Sequence, residues 1–90
     1  AILAATGVLS KELASVGIRV NALAPGLVKT PMAEKTYLSF LPEERRQEEI
    51  ASYPFGLGEP EDVASMAVFL LSRHSKWITG QTIVLDGGRY

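Results

Sequence analysis

Two short apolar runs, residues 18–24 and 82–85, are each stopped by a glycine-bearing turn, Pro25-Gly26 and Asp86-Gly87-Gly88, and helical sequence fills the space between them. That arrangement constrains the chain more than any other feature. In the first run Ile18, Val20 and Ala22 alternate with Arg19, Asn21 and Leu23, the period-two pattern of a strand. The second, Thr82-Ile83-Val84-Leu85, is a short apolar strand closed by turn residues. Two strands joined through a helical crossover are expected to lie parallel, with a right-handed connection. The chain therefore reads as α/β: two parallel strands with helices between them. A two-stranded parallel sheet leaves an open edge, so the expectation is a piece of a larger sheet.

The helices follow from apolar spacing and end signals. Residues 1–16 carry Ile2, Leu3, Leu9, Leu13 and Val16 on one face and Ala4, Ala5 and Val8 on a second. Such a helix is expected to be buried on more than one side, with Ser10, Lys11, Glu12 and Ser15 left to water. Gly7 in its interior points to close approach of a neighbouring backbone, and Gly17 ends it as a C′ glycine. Residues 60–73 form the clearest helix: Pro60 opens it, Glu61 and Asp62 suit the positive end of its dipole, and Val63, Met66, Ala67, Leu70 and Leu71 recur at helical spacing. Between lies an irregular stretch punctuated by Thr30-Pro31. Pro42 is placed at the first position of a mostly charged helix running to about residue 52, a weakly anchored and mobile element.

Composition narrows the function classes. Of 90 residues 47% are hydrophobic and the net charge is -1, so the chain is globular and carries no electrostatic case for a nucleic-acid or membrane-surface partner. With no cysteine, a disulfide framework, a thiolate metal site and a cysteine nucleophile are all excluded; in so small a domain the missing staples point either to a reducing, cytoplasmic setting or to a chain that rests on further protein. No apolar run reaches the ~20 residues that span a bilayer. The opening, Ala1-Ile2-Leu3-Ala4-Ala5, has neither a starting Met nor a basic stretch; it reads as the interior of a helix, and a truncated chain is the expectation.

In an open α/β sheet ligands sit beyond the carboxyl ends of the strands. Here that places Pro25-Gly26 after the first strand and Asp86-Gly87-Gly88 after the second. Gly26 admits a ligand to the backbone, Val28 offers a main-chain N–H and C=O, and Thr30 offers a hydroxyl, a set that suits a flat amide or a phosphate. A plain turn satisfies the Pro-Gly dipeptide equally well. The remaining candidates read as structural. His74 lies on the surface past a helix end. Glu43, Glu44, Glu48, Glu49, Glu61 and Asp62 are solvated charge near helix starts and on a polar face. Trp77 reads as packing, and Gly56-Leu57-Gly58 lacks the third glycine and preceding strand of a dinucleotide fingerprint. No metal ligand set is found.

Taken in order, four segments resemble the short-chain dehydrogenase/reductase family. Residues 17–26, Gly-Ile-Arg-Val-Asn-Ala-Leu-Ala-Pro-Gly, are similar to a late strand and turn of that family, and Leu27-Val28-Lys29-Thr30-Pro31-Met32 to the stretch that follows. Residues 58–64 resemble the lead-in to its last long helix. Ile78-Thr79-Gly80-Gln81 and residues 84–88 resemble its final strand and turn. Only about residues 33–55 carry no family pattern.

The resemblance implies the C-terminal part of a doubly wound, Rossmann-type domain that binds NAD or NADP across residues 1–90. Pro25 and Gly26 would shape the wall beside the nicotinamide ring. Val28 would bond the carboxamide through its main chain, and Thr30 would place a hydroxyl on the carboxamide or pyrophosphate. Residues 32 to about 55 would form a substrate lid carrying Met32, Tyr37, Leu38, Phe40 and Leu41. A homodimer or homotetramer would assemble through residues 1–16 and 82–88. The implied activity is hydride transfer between a ketone and a secondary alcohol, on a small carbonyl or alcohol substrate.

The family's chemistry needs a Tyr-x-x-x-Lys pair. Tyr37, Tyr53 and Tyr90 are not followed by Lys at that spacing, so no catalytic residue is assigned and the chain alone is expected to be inactive. The implied Lys would stand about two residues before Ala1. A second reading is a non-catalytic short chain that associates with full-length subunits. The Asp86-Gly87-Gly88 ending and the Pro60 lead-in argue against a sugar-nucleotide epimerase.

Overall fold

The structure, a computed structural model, describes residues 2–89 and, of Ile2, only the backbone. Ala1 and the Ile2 side chain, both part of the expected first helix, lie outside the described residues. The order is α1 (Ile2–Ala14), β1 (Ala22–Pro25), α2 (Pro31–Thr36), a 3-10 turn at Leu38–Phe40, α3 (Glu43–Ala51), α4 (Pro60–Leu71), a second 3-10 turn at Arg73–Ser75, and β2 (Thr82–Leu85). β1 and β2 pair in a two-stranded sheet. Its register is constant, with Ala22 N–H on Gln81 O and Gly26 N–H on Leu85 O, both 2.8 Å, so the strands run parallel as expected.

β1 is shorter than the seven-residue strand read from the alternation, and it starts four residues later. Gly80 holds a left-handed φ of 73° and bends the partner chain, so the regular ladder begins beyond it, although its own N–H bonds Val20 O at 2.7 Å. Around that one main-chain bond, side chains supply the rest of the pairing. Thr79 Oγ1 accepts from Val20 N–H at 3.0 Å, Asn21 Nδ2 donates to Ile78 O at 3.1 Å, and Asn21 Oδ1 accepts from Gln81 N–H at 3.0 Å.

The chain divides into two compact units, residues 2–24 with 64–84, and residues 25–63 with 85–89. In the first unit α1 ends in a Schellman arrangement. Gly17, φ 77°, donates to Ala14 O at 3.0 Å and Ile18 donates to Leu13 O at 3.1 Å, which is the C′ role expected of Gly17. One part of the expectation for α1 is corrected: Ser10, expected in water, is buried. Thr6 and Ser10 are buried, while Leu3, Val8, Leu9 and Val16 are exposed within this chain. The reason is a close approach at Gly80: a Cβ there would stand 2.7 Å from Ser10 Oγ, so the small polar face of α1 fits against that turn. Gly7, to which close approach was attributed, has nothing within 4 Å of its own Cβ position. Trp77 is likewise corrected, since it is 96% exposed rather than packed.

α4 stops two residues short of the expected end because its last carbonyls are taken by side chains. Ser75, 1% exposed, donates its hydroxyl among Phe69 O, Leu70 O and Ser72 O at 2.9 to 3.2 Å. The Arg19 guanidinium reaches the same place. One nitrogen lies 2.9 Å from Leu70 O and 3.2 Å from Ser72 O; the other lies 2.9 Å from Ser75 O, 3.1 Å from Ser75 Oγ and 3.1 Å from Ile78 O. A helix C-terminus presents unpaired carbonyls and partial negative charge, and a planar cation with five donors answers both.

In the second unit Thr30 and Pro31 open a helix that the sequence reading left irregular. Thr30 Oγ1 accepts from Ala33 N–H at 3.0 Å and Pro31 occupies the first helical position. Pro42 sits one position earlier than expected. With φ -55° and ψ 152° it is the N-cap of α3, not its first residue. Arg46 ties α3 to the preceding turn by donating to Leu38 O at 2.9 Å and to Leu41 O at 3.2 Å. α4 begins on half of a capping box: Asp62, at the third helical position, accepts from Glu59 N–H at 2.7 Å. No helix among the described residues is long and apolar enough to cross a membrane.

Candidate functional site

The second unit contains the carboxyl ends of both strands and the turns that follow them. Pro25 ends β1, and Gly26 still donates to Leu85 O, so the ladder closes on the turn itself. Gly26 has no room for a side chain. An added Cβ would meet the Tyr53 ring at 2.8 Å and the Asp86 Cα at 3.2 Å. Its small size is therefore required by packing inside the chain, a role beyond the ligand approach read from the dipeptide.

Beyond the turn the backbone runs beside the residues that precede α4. Gly58 donates to Leu27 O at 3.0 Å and Lys29 donates to Gly58 O at 2.8 Å, an isolated parallel bridge at Val28. In such a bridge the groups of the flanking residues do the bonding, and the central residue's own N–H and C=O face the opposite edge. Among the described residues no hydrogen bond takes either group of Val28. Val28 therefore carries one donor and one acceptor, side by side and uncommitted, directly after the turn. A ligand amide presents the complementary pair.

A cavity of about 330 Å³ lies between this stretch and the end of β2, with Val28, Leu57, Gly58, Val63, Leu85 and Asp86 among its walls. Asp86 shapes the turn there: Gly88 N–H bonds its Oδ1 at 3.0 Å, with Gly87 and Gly88 at φ 59° and 87°. Its other oxygen, Oδ2, is buried and has no hydrogen-bond partner among the described residues.

The expected residues divide between different places. Val28 borders that cavity, while Pro25, Gly26 and Tyr37 border a second depression of about 380 Å³ with Glu49, Tyr53 and Arg89. Thr30 caps α2; its hydroxyl accepts from Ala33 and keeps its own proton to donate. Of the lid residues, Leu38 is buried, Leu41 is half-buried, and Met32, Tyr37 and Phe40 are exposed. Only Leu38 thus serves as core.

Three residues hold the turn, and two correct their sequence readings: Glu49, expected as solvated charge, is shielded at 18% side-chain exposure and ion-paired, and Tyr53, expected only as part of the apolar lid, is buried; Arg89 carried no expectation. Tyr53 is 5% exposed, and its hydroxyl accepts from Leu27 N–H at 2.9 Å and from the Arg89 guanidinium at 3.0 Å. Arg89 also pairs with Glu49 at 3.0 Å and stands over the Tyr53 ring, 5.1 Å from its centroid. No sequence signal marks this set, because Leu27, Glu49, Tyr53 and Arg89 share no periodicity.

Comparison with known proteins matches residues 1–89 to the family profile described as Enoyl-(Acyl carrier protein) reductase. The 3-oxoacyl-[acyl-carrier-protein] reductase of Thermotoga maritima is 46% identical over 88 residues, 97% of this chain and 34% of that protein. The diacetyl reductase [(S)-acetoin forming] of Staphylococcus aureus is 43% identical over 90 residues, 92% of this chain and 35% of that protein. The crystal structure of 3-oxoacyl-[acyl-carrier protein] reductase from Brucella melitensis superposes with a TM-score of 0.83 at 39% identity, covering 97% of this chain and 31% of that one. The chain thus spans about a third of the length of the relatives it matches.

Proposed function

This chain belongs to the short-chain dehydrogenase/reductase family, and on that premise we propose that it is the C-terminal third of an oxidoreductase that uses NAD or NADP to interconvert a ketone and a secondary alcohol. The observation that carries the reading is the uncommitted N–H and C=O of Val28, set directly after a strand-end turn whose Gly26 tolerates no side chain. A nicotinamide carboxamide, with two donor hydrogens and one acceptor oxygen, fits that edge. Pro25 and Gly26 would flank the ring, and the Thr30 hydroxyl, still free to donate, would bond the carboxamide or a pyrophosphate oxygen. The bound cofactor supplies the hydride.

This chain's own part is to orient and enclose. Residues 32 to about 55 would close over the substrate. Met32 and Phe40, exposed and apolar, are the side chains available for that contact. The proton donor belongs elsewhere in the protein, since no Tyr-x-x-x-Lys stands in residues 1–90. Relatives named as a 3-oxoacyl-[acyl-carrier-protein] reductase and a diacetyl reductase support a carbonyl compound as substrate. We place the protein in the cytoplasm, from the absence of cysteine.

The full-length protein that contains this segment, assayed with NADH and with NADPH on a 3-oxoacyl thioester, a vicinal diketone and a cyclic ketone, is expected to consume cofactor with at least one of them. A folded protein inert in every combination would overturn the reading.

A second reading, a non-catalytic chain that associates with full-length subunits, draws on the exposed Leu3, Val8 and Leu9 of α1, the exposed Val16 just past its end, and the exposed Val84 of β2. Self-association of the catalytic protein through residues 1–16 and 82–88 draws on the same surfaces. A native assembly that holds the 90-residue chain as a separate product beside full-length subunits favours the first, and one built of full-length chains alone favours the second.

A further inference from the structure

We propose that Tyr53 is a positioning residue, the pin of a latch through which α3 fixes the main chain at Leu27 and Val28. This rests on the reading of residues 25–30 as the cofactor turn. The latch is a continuous chain of contacts within the second unit. Glu49, in the last turns of α3, holds Arg89 at 3.0 Å. Arg89 donates to Tyr53 Oη at 3.0 Å and lies across its ring. Tyr53 Oη in turn accepts from Leu27 N–H at 2.9 Å, one residue before the uncommitted groups of Val28.

Each link has a physical reason. A phenol oxygen that accepts from a guanidinium and a backbone amide together is held from two directions, and the charged donor makes the stronger bond. The Tyr53 ring fills the space that any Gly26 side chain would need, so ring and glycine fix the turn's path sterically while the hydroxyl fixes its orientation. Glu49 and Arg89 are both largely shielded, with side-chain exposures of 18% and 30%, so their pairing is not that of a solvated surface couple. The latch ties the segment expected to cover the substrate to the edge expected to hold the carboxamide. Closure of α3 over a substrate would then tighten the cofactor edge.

The test uses the full-length protein carrying Tyr53→Phe, Arg89→Met and both together. Tyr53→Phe keeps the ring under Gly26 and removes only the bonds to Leu27 and Arg89. We expect the Leu27 amide to exchange with solvent about 2- to 10-fold faster in each single variant, the range that loss of one hydrogen bond gives. Cofactor dissociation constants should rise by the same factor, while kcat at saturating cofactor holds. The double variant should be no worse than the poorer single, because both break one chain of contacts.

Unchanged Leu27 exchange in Tyr53→Phe would overturn the latch. Faster exchange with cofactor affinity intact would overturn its positioning role, leaving Tyr53 as a structural residue. A full-length protein that binds neither nicotinamide cofactor would refute the functional reading, and with it the positioning role; Leu27 exchange still decides the latch in that case.

Discussion

Arg19 in the first unit and Arg89 in the second are both cations that reach far along the sequence, yet they do opposite things. Arg19 spends its guanidinium on closing a helix: Leu70, Ser72, Ser75 and Ile78 all give it acceptors, and Ser75 beneath it is nearly inaccessible. Around Arg19 the backbone polar groups are consumed. Arg89 acts instead through a phenol and a carboxylate, and the backbone it steadies keeps Val28's pair of groups uncommitted. The same residue type seals one unit and steadies an unbonded main-chain edge in the other. What decides the outcome is the acceptor: carbonyls at a helix end are satisfied in place, whereas a tyrosine oxygen passes the constraint on to a loop.

The contrast can be broken first at Arg19. Arg19→Met in the full-length protein strands several carbonyls at the end of α4 and should cost about 3 kcal/mol, read from the denaturant midpoint. Arg19→Lys should recover only a minor part, because an ammonium lacks the planar fork that spans these acceptors. If Arg19→Met is as stable as the parent, the helix end is satisfied in another way.

Gly26→Ala tests the second unit. The added methyl group meets the Tyr53 ring and the Asp86 backbone, and overpacking of that kind costs about 2 kcal/mol. Enlarging the space with Tyr53→Leu should return part of that loss, which a generic turn defect would not show.

Thr30→Val sharpens the comparison with the smallest effect. It removes the cap of α2, worth about 1 kcal/mol, and the one hydroxyl of the turn. Thr30→Ser should restore both stability and cofactor affinity. A Thr30→Val protein that loses stability but keeps its affinity would confine Thr30 to capping.

How legible these features were follows from their range. Gly17, Pro60 and the Asp86-Gly87-Gly88 ending are local signals, each set by the backbone angles or missing donor of one residue, and the structure carries each where expected. Thr30-Pro31 is an equally local signal, a cap followed by a first-turn proline, but it was read as a ligand hydroxyl and so α2 was missed. The extent of β1 was not local, because it depends on where Gly80 bends the partner chain, some sixty residues away. The burial of Ser10 on α1 was not legible for a similar reason. Apolar spacing marks the faces that could be buried, and only the Gly80 turn reveals that Ser10 takes the close contact. Arg19 with Ser75, and Tyr53 with Leu27 and Arg89, are pairings of distant residues that only the folded backbone brings together. The turn itself, Pro25-Gly26 after β1, was legible as a strand end, and the contacts that support it were not.

The most direct test of the central claim is hydrogen exchange at the Val28 amide of the full-length protein, with and without saturating NADH or NADPH. The account predicts strong protection of Val28 on addition of one cofactor, while Gly58 and Lys29, already paired across the bridge, change little. A Val28 amide that exchanges at the same rate with either cofactor bound would contradict it.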